Sequence, residues 1–134
     1  MAINHVTLAV TNLDSSFAFY CDTLEARPIM RSHTSAYLEL EGLWIALVAA
    51  ERITPIGKDC YTHLAFTASD SLYRKLLRLV DAGSLPTWQE NTSEGDSIYF
   101  LDPDGNKLEL HKTTLKDRIA HGKLYWGSEV TWYL

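Results

Sequence analysis

At 134 residues the chain can bury a core without disulfides or a structural metal, so any metal it binds is expected to be functional. A net charge of -5 and a pI near 5.4 exclude a general nucleic-acid surface, which needs a basic stripe, and leave small molecules and protein partners. Cys21 and Cys60 form no CxxC spacing, no signal peptide is recognisable and no apolar run approaches membrane-spanning length, which together point to a reducing cytoplasm.

INHVTLAV alternates, with Val6, Leu8 and Val10 on one face and His5, Thr7 and Ala9 on the other, and predicts a strand. TNLDSS then supplies helix-capping residues, and Leu13, Phe17, Tyr20, Cys21 and Leu24 follow at helical spacing. A strand is expected near Ala26 to Arg31, then a hairpin, AYLELEGLWIALV, turning at Glu41-Gly42. From Tyr61 the order recurs. YTHLAFTA reads as a strand, SDS as a cap, and Leu72, Leu76, Leu79 and Val80 as a helical stripe that ends before Gly83, with Arg74, Lys75 and Arg78 on the solvated side. PTWQEN reads as a short strand, and SIYFL-DPDG-NKLEL as a hairpin turned by Pro103 and Gly105. A last short helix begins at Thr113 or Thr114, where Asp117 can complete a capping box, and the tail carries Tyr125, Trp126, Trp132 and Tyr133. So aromatic a terminus is expected to pack on its own fold or on a second subunit.

The pattern is α+β: two βαβββ modules, 1–57 and 58–112, with a helix and tail over 113–134, all in one domain. His5 and His63 fall at the same place in the two copies, although the chain has only five histidines. Their strand faces carry small or polar partners, Thr7 and Ala65, which suits a cavity. Glu109, between Leu108 and Leu110 in the last strand, points away from both. Two imidazoles and one carboxylate suit a divalent first-row metal and leave positions open for substrate or water, without choosing the metal. Taken singly, each would be an ordinary strand histidine or edge glutamate; the matched module positions favour a site. His33 and His121 read as solvated, and His111 as a strand-end residue.

INHVTLAV, FAFYCDTL, SAYLELEGLWIAL, YTHLAF, SEGDSIYFLDPDGNKLELH and LKDR resemble the vicinal-oxygen-chelate superfamily and, within it, the fosfomycin-resistance thiol transferases, over essentially the whole chain. SEGDS followed by YFLDPDG is the most specific of these matches. The resemblance implies a metal site of His5, His63 and Glu109, usually filled by Mn(II), with Zn(II), Mg(II) or Fe(II) as alternatives. It implies a module-exchanged homodimer in which the first histidine comes from the partner. The metal would act as a Lewis acid on fosfomycin's epoxide, which a thiol, glutathione by this resemblance, would open. Thr7 matches a threonine near the substrate oxygens, Tyr37 a tyrosine that approaches the thiol, and Trp44 an aromatic wall over the epoxide. Ser93, Ser97, Tyr99 and Arg118 match residues that hold the phosphonate, a task for which arginine's planar fork is suited. Asn91, Ser93, Glu94, Gly95 and Ser97 match a loop that binds K⁺.

The chain also departs from that pattern. Gln89 stands where glutathione-using members carry a lysine on the phosphonate, and Ser32, Thr34, Val48 and Thr92 replace typical thiol-channel residues. Bacillithiol-using relatives share TSAYL, WIAL and TLKDR but lack SEGDS. Hydrolytic relatives carry a glutamate where this chain has Gly42. A glyoxalase would need a fourth protein ligand, and alignment of the hairpins places Ala46 opposite Glu109. A ring-cleaving dioxygenase with Fe(II) and a drug-binding protein of the same fold are the remaining alternatives.

Overall fold

The structure, a computed structural model, describes residues 1–54, 59–90 and 97–134. Alternation in the N-terminal segment forms β1 (His5–Val10), and Asn12, whose side chain accepts from the Ser15 N–H, caps α1 (Leu13–Ala18). The remaining strands of the first module are β2 (Arg27–Arg31), β3 (Ser35–Leu40) and β4 (Leu43–Ala49). The second module repeats the order with β5 (Leu64–Thr67), α2 (Asp70–Asp81), β6 (Thr87–Gln89), β7 (Ser97–Leu101) and β8 (Lys107–His111). Each module forms a four-stranded sheet of matching topology, β1-β4-β3-β2 and β5-β8-β7-β6. The expected α+β architecture of two βαβββ modules is therefore present. The 57/58 boundary lies outside the described residues.

Glu41 and Gly42, at φ 50° and 82°, turn the β3–β4 hairpin in the left-handed geometry that a two-residue connection requires. The first helix differs from the expected uniform one: after α1 it widens into a π-helical turn over Phe19–Thr23. Tyr20 and Leu24, at and just after this turn, are buried in the core with Leu13. The YTHLAFTA strand is shorter than expected, beginning at Leu64 and leaving His63 at its threshold.

One continuous core joins the modules. Val10, Leu38, Ile45 and Leu47 from the first meet Leu76, Phe100, Leu108 and Leu110 from the second, and the Phe19 and Phe100 rings lie 6.4 Å apart. A polar fastening accompanies it at the DPDG turn. Buried Asp102 accepts from the Tyr20 hydroxyl at 2.8 Å and from the Asp104 and Asn106 backbone N–H groups. Asp104 accepts from the Thr11 N–H and hydroxyl. This turn thus ties the second module to the helix start of the first.

The registers place equivalent residues in equivalent rows. Thr7, Ala46 and Tyr37 pair across the first sheet as Ala65, Glu109 and Tyr99 do across the second. Helix α3 (Leu115–Tyr125) follows β8 and opens with the expected capping box, Thr114 with Asp117.

Candidate active site

In β8 the core takes Leu108 and Leu110, so the period-two pleat turns Glu109 to the opposite face. There Glu109 Oε2 meets His63 Nε2 at 2.9 Å. The other imidazole nitrogen, His63 Nδ1, lies 2.7 Å from the Tyr61 carbonyl oxygen. A carbonyl only accepts, so Nδ1 carries a proton; with that proton alone Nε2 and the carboxylate oxygen would be two acceptors, whereas a second proton on Nε2 makes the contact a hydrogen bond. Two acceptors facing each other need either a second ring proton or a cation. This is the donor set and geometry that fit a divalent metal.

The other carboxylate oxygen is held from behind. Ser97, one strand over on β7 and 1% exposed, donates its hydroxyl to Glu109 Oε1 at 2.7 Å. His111 Nδ1 lies 2.9 Å from the same oxygen and 2.5 Å from the Ser97 hydroxyl, while its Nε2 faces the Thr113 hydroxyl at 2.5 Å. Nδ1 is the donor on the Glu109 side, and the Thr113 hydroxyl can either donate to Nε2 or accept from it. Burial alone would push the Glu109 carboxyl up. The Ser97 and His63 hydrogen bonds, with the positive potential of His111 and His63, outweigh it and hold the group below its ordinary range.

The wall around this pair is aromatic. The Tyr99, Trp88 and Tyr61 rings lie 6.2, 5.2 and 5.1 Å from the His63 ring. Lys107 sits over Trp88 and donates to the Cys60 carbonyl. Tyr61, His63, Ala65, Glu109, His111 and Arg118 line a cavity of 330 Å³. Arg118 therefore reaches the site from α3 and is not a remote surface charge. Gln89 extends to the Tyr61 hydroxyl at 3.5 Å. A larger cavity, 780 Å³, lies by the start of α1, where Arg31 is tied to Asp14; it contains none of the expected metal ligands.

The remaining expected residues lie on the first sheet. His5 is exposed, with its ring 4.4 Å from that of Trp44, and the Trp44 and Tyr37 rings lie 5.1 Å apart. Thr7 is on the same face. Tyr37 and Trp44 line a third, more apolar cavity with Ile29 and Gly42. Within one chain His63 and Glu109 come together and His5 does not join them: among the described residues no group of three or more histidine, cysteine or acidic side chains converges as a metal site. Asn91, Thr92, Ser93, Glu94 and Gly95 lie outside the described residues.

Two histidines depart from expectation. His111 ends β8 as expected, but it is a structural partner of Glu109; its place two residues on, on the same strand face, was the available signal. His121 is on α3, half-buried, with its ring 4.5 Å from that of Tyr125, because the terminal helix is longer than a short cap-led turn.

Residues 2–110 match the family model of the Glyoxalase/Bleomycin resistance protein/Dioxygenase superfamily, to which the chain belongs. Its relatives narrow the class. It is 40% identical over 121 residues to the glutathione transferase FosA of Serratia marcescens, covering 89% of this chain and 86% of that one. It is also 40% identical over 125 residues to the metallothiol transferase FosB of Staphylococcus haemolyticus, covering 90% of each. The fosfomycin resistance protein FosX of Listeria monocytogenes superimposes with a TM-score of 0.76 at 27% identity, over 90% of this chain and 97% of that one. A mutant of that protein, complexed with Mn(II) and 1S,2S-dihydroxypropylphosphonic acid, gives 0.75 at 26% identity, over 88% and 97%. Within the superfamily, this chain is a member of the fosfomycin-resistance family.

Proposed function

We propose that the protein is a metal-dependent glutathione transferase that opens the epoxide of fosfomycin. The observation that carries the proposal is the His63–Glu109 pair, whose Nε2 and Oε2 face each other at 2.9 Å while their other heteroatoms are already committed to protein partners. His63, Glu109 and His5 of a second copy would hold the metal, with Mn(II) the first choice, as found with a structural relative. Its chemistry there is Lewis acidity toward the epoxide oxygen. A homodimer supplies the third ligand, and the face it would cover is the one on which His5, Thr7 and the 36%-exposed Tyr37 and Trp44 lie.

The residues of this chain divide the remaining work. Arg118, with Tyr99, Ser97 and Ser93, holds the phosphonate; the planar guanidinium meets two anionic oxygens together. Ser97 also fixes the carboxylate, to which its hydroxyl is turned. Thr7 donates to a substrate oxygen, Tyr37 orients the thiol, and Trp44 walls the epoxide and excludes water. Asn91, Ser93, Glu94, Gly95 and Ser97 supply the oxygen-rich loop for K⁺. The enzyme works in the cytoplasm, where thiols are kept reduced.

A second reading, transfer from a thiol other than glutathione, is favoured by equal identity to the FosB relative and by Gln89 in place of a lysine. Hydration is disfavoured because Gly42 offers no side-chain base beside Tyr37 and Trp44. The deciding experiment incubates purified protein and fosfomycin with Mn(II) and K⁺ against glutathione, bacillithiol, cysteine and no thiol. A glutathione adduct that Glu109→Gln abolishes is expected. An adduct with another thiol alone establishes the second reading, and binding of fosfomycin without any product overturns both.

A further inference from the structure

The C-terminal aromatics, the one prominent sequence feature that the site has not absorbed, bear directly on Arg118. An arginine side chain has large rotamer freedom, so one that recognises an anion gains from being held in place before the anion arrives. The Arg118 guanidinium carbon lies 5.3 Å from the centroid of the Trp126 ring, within cation–π range. Trp126 is itself stacked on Trp132, with centroids 5.8 Å apart and planes 9° apart.

Both rings are seated on one glycine. Arg118, Gly122 and Trp126 follow at i, i+4 and i+8, which places them on one face of α3 and its end. Gly122 is buried, and its carbonyl accepts the Trp126 N–H at 2.9 Å to close the helix. A Cβ at position 122 would stand 2.7 Å from Trp126 Cε3 and 2.8 Å from Trp132 Cη2, closer than such contacts permit. Glycine costs helix stability at an interior position, and here the missing side chain is the space the two indoles occupy.

We propose that the Trp126–Trp132 stack, seated on Gly122, is a platform that positions Arg118 in the His63–Glu109 cavity, so that the C-terminal tail sets affinity for the anionic end of the substrate. This rests on the reading of Arg118 as a phosphonate ligand. Trp126, Trp132 and Gly122 are positioning residues that act through the guanidinium.

Calorimetric titration of fosfomycin into the Mn(II)-loaded protein tests both layers. Arg118→Ala should weaken binding; if it does not, the reading of Arg118 falls, and the platform with it. With that effect in hand, Trp126→Leu should weaken fosfomycin binding by about tenfold, raising KM more than it lowers kcat, and Trp126→Phe should recover most of the loss. Trp126→Leu should add nothing in an Arg118→Ala background and should leave the Mn(II) affinity unchanged. Gly122→Ala gives a check of opposite sign: propensity alone would stabilise α3, yet fosfomycin binding should weaken. Equal losses from Trp126→Leu with and without Arg118, or unchanged binding in Gly122→Ala, would overturn the platform while leaving Arg118 as a ligand.

Discussion

His111 and Glu109 stand two residues apart on β8, on one face of the sheet, with the imidazole Nδ1 2.9 Å from the carboxylate Oε1. Thr113 secures the far side of that ring, so the carboxylate is oriented by a side chain that is oriented in its turn. Partners of this kind commonly change metal affinity by about 10- to 100-fold when removed. His111→Ala should accordingly weaken Mn(II) binding by about that factor, measured by calorimetry on the purified protein. His111→Asn, which can still donate toward Oε1, should recover part of the loss.

Acidification should reveal the same network through stability. The folded state holds the Glu109 carboxyl below its ordinary range, so ionised Glu109 contributes stability above the unfolded-state value. That contribution is lost as the pH falls through the lowered folded-state value. In metal-free protein the difference in melting temperature between wild type and Glu109→Gln should therefore change as the pH falls through the lowered Glu109 value on the acid side. Thermal scans across pH would count against the network if the difference were pH-independent down to acid unfolding.

Gln89 is near the site without carrying a charge, reaching the Tyr61 hydroxyl at the cavity wall. Gln89→Lys adds a cation where an anionic substrate is expected, and should lower the fosfomycin Kd. The gain should shrink as salt is raised, since partly exposed charges are screened. Unchanged affinity would place the side chain away from the anion.

The inter-module fastening can be tested independently of catalysis. Burial pushes the Tyr20 hydroxyl's ionisation well up, and the neighbouring Asp102 charge adds to it, so Tyr20 remains a donor at any working pH. Tyr20→Phe removes one donor from a buried carboxylate and should destabilise the fold by about 2 kcal/mol in urea titration.

The modules were legible because each strand and helix carries its own periodicity, and because the capping residues of α2 and α3 act within a few residues of themselves. Glu109 was legible for the same reason: leucines on both sides fix its face. What the sequence hid was long-range or rested on a local irregularity. The π-helical turn after α1 carries Tyr20, whose hydroxyl reaches Asp102, 82 residues away. DPDG reads locally as a turn, yet its aspartates receive Thr11, Ser16 and Tyr20 from the other module. A polar residue at a strand end usually meets solvent, whereas Ser97 and Thr113 enclose the ring nitrogens of His111.

The row that pairs Ala46 with Thr7 and Tyr37 has a consequence in charge balance. A divalent ion held by two neutral imidazoles and one carboxylate keeps an unneutralised positive charge, which an anionic ligand can cancel. A second carboxylate at position 46, the place equivalent to Glu109, would cancel that charge within the protein and repel an incoming phosphonate. In the proposed site, the small apolar side chain at position 46 would thus leave the final negative charge to the substrate.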